Sequence, residues 1–181
     1  DVEYVYDLTP SQEGIYAQYF QSKDTKTYQL QSLTRINKEA SLEILRKSVE
    51  MLAQRHNVLR SSFAVLKTTG AIKQVVVESR EPGFKVISYN QPYTKDVLDR
   101  IVSEDTERTM DLQNDSLFRV TVVDFNDERY MVMHTHHIII DGWCLPILIN
   151  DLQMYYGKLN EGTTVEALRE EINEENNTQT S

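Results

Sequence analysis

The segment HTHHIIIDGW, residues 134–143, holds three of the chain's 4 histidines and an aspartate within eight positions. Such a cluster permits metal binding, acid–base catalysis or plain packing at a strand end. Alternate side chains of a β-strand share a face. RYMVMHTHH would therefore turn Met131, Met133, Thr135 and His137 one way, and Val132, His134 and His136 the other. His134 and His136 could share a metal ion, but tetrahedral zinc takes three or four protein ligands. No cysteine or further histidine is suitably placed, and His56 is far off in sequence, so no bound metal is expected. The packing alternative stays open, because histidines at strand ends are often satisfied core or edge residues.

A covalent nucleophile is harder to place. There is no Gly-x-Ser-x-Gly elbow. The 6 glycines are scattered and form no dinucleotide or phosphate loop. Cys144, the single cysteine, follows Trp143 at the start of an apolar helix, a setting that suits a buried, inert thiol. What remains is acid–base chemistry without a covalent intermediate. A neutral histidine with an ordinary pKa of about 6.5 can accept a proton at cellular pH. His137 ends the strand, Gly142 leaves room for a ligand's arm, and Asp141 can orient the loop. That pattern suits acyl transfer between two bound substrates.

The elements that must position these residues alternate irregularly. LTPSQEGIYAQYF starts a helix, with Thr9 as N-cap, Pro10 at the first helical position and Gln12 completing a capping box. TYQLQSLTRI reads as a strand. SLEILRKSVEMLAQRH is an amphipathic helix with Leu42, Leu45, Val49 and Leu52 on one stripe. LRSSFAVL and AIKQVVV flank Thr68-Thr69-Gly70 as a hairpin. FKVISY is a strand and TKDVLDRIVSEDTERTM a second long helix. SLFRVTVVDF and RYMVMHTHH form a second hairpin around Asn126-Asp127-Glu128. A third long helix is predicted from about Trp143 to Tyr156, stopping at Gly157. Six strands and four helices imply an α+β fold, a mixed sheet with helices packed on it.

Composition bounds the rest. A chain of 181 residues with 40% hydrophobic and 26% charged residues suits one soluble domain with a real core. No run of about 18 apolar residues predicts a membrane span, and no leader opens the chain. One cysteine excludes an internal disulfide and fits a cytoplasmic location. The net charge is −9, of which residues 161–181 contribute −5. No cluster of Lys and Arg suggests nucleic-acid binding. The acidic stretch 161–181 loses its apolar residues after Ile172 and reads as a short weak helix fading into a linker or tail, leaving residues 1–160 as the folded lobe.

Here the residues match a known pattern. HHIIIDG, His136 to Gly142, resembles the His-His-x-x-x-Asp-Gly signature of nonribosomal peptide synthetase condensation domains. RHNVLRSSF, Arg55 to Phe63, is similar to the family's Arg-His-x-x-Leu-Arg-x-x-Phe segment, and LTPSQEGIYAQYF to its opening motif. DLQNDSLFRV matches a recurrent Asp-Leu…Pro-Leu-x-Arg stretch, with Ser116 in place of proline. TPSQEG and DGWCLPIL are similar to members that take a D-configured donor. Epimerisation domains share the two histidines but usually read Asp-Gly-Val-Ser-Trp, whereas here Trp143 directly follows Gly142.

The resemblance implies one lobe of a two-lobed fold like chloramphenicol acetyltransferase. The later family motifs are missing, so the chain is expected to be the N-terminal lobe alone and inactive by itself. Its implied partners are the C-terminal lobe and the donor and acceptor carrier domains, whose phosphopantetheine arms deliver the substrates. The lobe itself is expected to bind no cofactor, nucleic acid or membrane. His137 is implied to face the reacting amine, as general base or by positioning it and stabilising the tetrahedral intermediate. His136 is implied to be structural. Gly142 is implied to give clearance and a backbone N–H near the oxyanion. Asp141 is implied to form a structural ion pair with Arg60. Three other readings stay open: a non-catalytic carrier-docking module, a coenzyme A-dependent acyltransferase, and an epimerisation domain.

Overall fold

A computed structural model describes residues 1–22 and 26–179. The chain runs β1 (Val2–Asp7), α1 (Pro10–Ser22), β2 (Gln29–Ile36), α2 (Leu42–Arg55), β3 (Ser61–Val65), β4 (Ile72–Val77), β5 (Gly83–Ser88), α3 (Lys95–Glu107), β6 (Phe118–Asp124), β7 (Arg129–His136), α4 (Leu145–Asn160) and α5 (Val165–Gln179). The expected α+β class with a mixed sheet is what forms, but the strands divide between two sheets. A four-stranded sheet has the order β2-β7-β6-β5, and a three-stranded sheet the order β1-β4-β3. Among the described residues only β5 and β6 pair in parallel, joined by the α3 crossover. A Cβ at Gly83 would lie 2.9 Å from Arg119 Cβ, so glycine is required for these two strands to close there.

The helices start where the sequence predicts. Thr9 N donates to Gln12 Oε1 at 3.0 Å and Gln12 N to Thr9 Oγ1 at 3.2 Å, a reciprocal capping box. Ser41 caps α2 by accepting from Ile44 N. The α2 stripe of Leu45, Val49 and Leu52 is buried with Leu148 and Leu152 of α4 against Phe118, Val120, Val122, Met131 and Met133 of the larger sheet. On the opposite face, Leu98 and Ile101 of α3 bury Val123 and Phe125. The central strands β6 and β7 are thus covered on both sides, which is why they carry apolar residues at consecutive positions. Among the described residues no helix is long and apolar enough to cross a membrane.

Three expectations are corrected. The strand β1 is a seventh; its residues are mostly exposed, so its alternation carries no burial signal. Helix α4 does not stop at Gly157 but continues to Asn160. Gly162, at φ +106°, ends it: Thr163 N donates to Lys158 O and Gly162 N to Leu159 O, the paired bonds of a Schellman stop. Third, residues 161–179 are not a linker or tail. They form α5, whose Leu168 and Ile172, 0% and 1% exposed, pack on Met51 and Tyr155. Lys158–Glu171 and Arg55–Glu175 ion pairs border the contact. Thr180 and Ser181 lie outside the described residues.

A docked α5 has a measurable consequence. Leu168→Ala should destabilise the chain by about 2–5 kcal/mol, the cost of emptying a buried leucine site. The exposed Glu170→Ala should change stability by under about 0.5 kcal/mol. Urea unfolding of both variants checks this; equal, small effects would restore the tail.

Candidate functional site

The histidine segment folds as the last residues of β7 followed by a tight turn. Ile139 N donates to His136 O at 3.2 Å, which places His137 and Ile138 at the two central positions of a hydrogen-bonded turn. Ile138, Ile139 and Ile140 are 2%, 7% and 7% exposed and belong to the main core. Burying three isoleucines in a row pulls the chain inward immediately after the turn. His137 is left at the outer corner with its side chain exposed. Its own N–H donates to Tyr28 O at 2.7 Å, which ties the corner to the end of β2's lead-in.

The other two histidines are fully buried. His136 accepts from Ile138 N at its Nδ1, 3.1 Å away, so Nε2 carries the ring proton. Burial, and then the neighbouring His137 and His134, hold its pKa down to about 4. His136 is therefore a neutral turn-former, not a base presented to a substrate. His134 faces α3, where its Nδ1 lies 2.6 Å from Asp105 Oδ2. Arg119 Nε donates to the other oxygen, Asp105 Oδ1, at 3.1 Å, and Gln31 Nε2 approaches Asp105 Oδ2 at 3.3 Å. Burial opposes the Asp105 charge, but the hydrogen bond from His134 and the Arg119 guanidinium outweigh it and hold the carboxyl below its usual range. Burial also pushes His134 below its usual value. A neutral His134 donates from Nδ1 to a charged Asp105, while its Nε2 is buried without a partner among the described residues. Sequence reading placed His134 and His136 on one strand face and missed this cluster, whose members come from β2, α3, β6 and β7.

Among the described residues no three His, Cys, Asp or Glu side chains stand where they could hold a metal ion. Cys144 is half-buried rather than buried, and burial followed by its bond to Asp141 Oδ1 raises its pKa, which disfavours the thiolate. A Cβ at Gly142 would meet nothing within 4 Å, so the space beside it is open.

The expected Arg60–Asp141 ion pair does not form. Arg60 is 1% exposed and points away from the histidine turn. Its Nη1 donates to Glu3 Oε2 and Val77 O, both at 2.6 Å, and its Nε donates to Ala53 O at 2.9 Å. The guanidinium thus joins β1, the end of α2 and the end of β4. Asp141 is exposed and caps the short 3-10 turn Gly142–Cys144 by accepting from Trp143 N at 3.1 Å. The unseen partner, Glu3, lies on the strand that the sequence pattern did not show. A polar contact was also missed at the turn: Gln12 Nε2 donates to Ile138 O at 2.9 Å.

The family model for the condensation domain matches residues 2–178. The chain belongs to the condensation-domain family. Bacitracin synthase 1 of Bacillus licheniformis is 28% identical over 165 residues, which cover 89% of this chain and 3% of that protein. Gramicidin S synthase 2 of Brevibacillus brevis is 32% identical over 164 residues, covering 88% of this chain and 4% of that protein. The starter condensation domain of rhizomide synthetase superposes with a TM-score of 0.80 at 18% identity, over 90% of this chain and 40% of that one. The epimerization domain from the third module of tyrocidine synthetase B gives 0.75 at 19%, over 88% and 36%. These two likenesses establish the fold. The chain spans a few per cent of the matched synthetases and about two fifths of the solved condensation domain.

Two predictions follow from the charges of this condensation-domain segment. Arg60→Ala strips a buried cation from its partners and should cost about 3–5 kcal/mol. Asp141→Ala loses only an exposed cap, about 1 kcal/mol or less. The double variant should be additive within about 0.5 kcal/mol; strong coupling in denaturant unfolding would reinstate the pair. The second concerns pH. His136 takes its proton near 6.5 in the unfolded chain but only near 4 in the fold. Between these values the unfolded chain binds more protons. Stability is therefore full above about 6.5 and is lost as pH falls toward 4, by up to about 1.4 kcal/mol per pH unit. The lowered His134 acts in the same direction. In urea unfolding at several pH values, His136→Asn should show a shallower loss than the parent; an unchanged slope contradicts the assignment.

Proposed function

We propose that this chain is the first lobe of a peptide-bond-forming condensation domain and that His137 is its catalytic histidine. The observation that carries the reading is the division among the three histidines of the segment. His134 is bonded to Asp105, His136 is spent on the turn, and His137 alone of the three is exposed. Family membership supplies the reaction class, and both relatives named above are synthases by name, of bacitracin and of gramicidin S.

In this reading the acceptor amine and the donor acyl or peptidyl thioester meet at the open side of the turn. Each is carried on the phosphopantetheine arm of a carrier domain, and the lobe binds no cofactor of its own. The amine nitrogen attacks the thioester carbonyl carbon, the C–S bond breaks, and the proton lost by the amine ends on the departing thiol. His137 acts as a neutral base that takes the amine's proton, or holds the amine in line, while the tetrahedral intermediate forms. No acyl-enzyme is needed, which agrees with the raised pKa of Cys144. The open space at Gly142 gives an arm room to pass, and the backbone N–H there suits a developing oxyanion. Asp141 supports the loop as a local cap rather than as a buried ion partner.

The C-terminal lobe of the same domain supplies the other wall of the site, so the isolated chain is expected to fold without turnover. TPSQEG and DGWCLPIL support a D-configured donor, and the lone unpaired cysteine supports a cytoplasmic location. In the intact domain, His137→Ala should lower the rate of peptide formation about 10²–10⁴-fold with little change in Tm. The check is single-turnover condensation between loaded carriers. Rate loss in His136→Ala with a fully active His137→Ala would reverse the two roles.

A further inference from the structure

Gln12 makes more hydrogen bonds than a helix cap requires. Its Oε1 accepts from Thr9 N at 3.0 Å, closing the capping box. Its Nε2 lies 2.9 Å from Ile138 O and 3.0 Å from Gln74 Oε1. A primary amide has two N–H donors, so both are used. Gln74 in turn donates from Nε2 to Ser61 Oγ at 2.9 Å. Gln74 and Ser61 are 8% and 0% exposed. The chain of donors and acceptors fixes each amide's orientation: a flipped Gln12 would set its oxygen against two acceptors, Ile138 O and Gln74 Oε1, and lose Thr9 N.

The acceptor at the end of this relay is the carbonyl of Ile138, the second central residue of the turn whose first is His137. Two backbone bonds, His137 N to Tyr28 O and Ile139 N to His136 O, hold the turn to its own sheet. The Gln12 bond holds it from the other side, through Gln74 and Ser61, to the three-stranded sheet. Among the described residues none is hydrogen-bonded to the exposed side chain of His137, so its direction follows from the peptide planes on either side.

We propose that Gln12 is a positioning residue for His137, setting the turn through Ile138 O and referring it to the second sheet through Gln74 and Ser61. The proposal rests on the reading of His137 given above. A displacement of about 1 Å at a reacting group can cost about 10²-fold in rate, so loss of one tether should be visible in chemistry before it is visible in stability.

The test separates the two duties of the side chain in the intact synthetase with loaded donor and acceptor carriers. Gln12→Glu keeps an acceptor for Thr9 N, since glutamate serves equally in a capping box, but it offers no donor to Ile138 O. Thr9→Ala removes the Thr9 Oγ1 acceptor for Gln12 N and leaves the amide on Ile138 O. Gln12→Glu should lower the single-turnover rate at saturating carriers by about 10-fold or more, with carrier KM and Tm near those of the parent. Thr9→Ala should lower Tm and keep the rate. His137→Ala is measured alongside. A parental rate in Gln12→Glu, with His137→Ala strongly impaired, overturns the proposal and leaves the role of His137 standing. A parental rate in His137→Ala overturns the role of His137 itself. If Gln12→Glu lowers Tm more than Thr9→Ala does, Gln74→Leu, which breaks the relay one residue further from the cap, decides. A reduced rate at unchanged carrier KM supports the relay, and a parental rate overturns it.

Discussion

Burial of β7 on both faces is the constraint on which the rest of this lobe depends. Six consecutive residues, Met131 to His136, are buried, because α2 and α4 cover one side and α3 the other. A polar group in that position must find a partner or cost several kcal/mol. Thr135 bonds Leu117 O, His134 bonds Asp105, and His136 accepts from the backbone of its own turn. Each interior histidine has its Nδ1 paired, and the strand bears the cost of an Nε2 that is buried without a partner among the described residues on both His134 and His136. His137 escapes because the turn begins there and the three isoleucines that follow are worth more inside than out. Burying each contributes roughly 1.5–3 kcal/mol, so the corner of the turn is pinned by the residues after it.

The charged interior follows the same logic, as two of its clusters show. Asp105, Arg119 and His134 meet between α3 and the larger sheet. Arg60 meets Glu3 and four backbone carbonyls where β1, β4 and α2 converge. An interior ion pair gains little over an apolar pair of the same size, yet removing one partner is expensive. Both clusters join elements distant in sequence: residue 31 with 105, 119 and 134, and residue 3 with 60 and 77. One cluster links β2, α3, β6 and β7, and the other links β1, α2 and β4.

Much of this was legible in the sequence, and the parts that were not share a cause. The capping box at Thr9 and Gln12, the α2 stripe and both hairpins are local patterns, and each forms as read. So did the strand that ends in the histidines. What failed was non-local. β1 exposes most of its residues, so no alternation marks it. α5 buries only Leu168 and Ile172 beneath an acidic surface, and its charge hid the i,i+4 pair. Arg60 was matched to Asp141 by the resemblance, but the carboxylate it meets is Glu3, on the unseen strand. Gln12 was read for its helix alone, since its contact with Ile138 spans 126 positions.

That last contact shows how a local motif can be made to serve a distant site. A capping glutamine uses its oxygen, and the amide nitrogen is left free to bond elsewhere. A glutamate would close the same cap but would bring a negative charge to a carbonyl oxygen. At residue 12 the side-chain oxygen serves the helix cap and the side-chain nitrogen serves the histidine turn. The same reasoning applies to Asp141, whose cap on the 3-10 turn leaves its carboxylate exposed rather than buried against Arg60. Residues with an obvious local duty at this site are held in place by that duty, and their remaining donors and charges are thereby aimed. The exposed corner is held by backbone bonds, one amide and three buried isoleucines, and the side chain of His137 is left exposed.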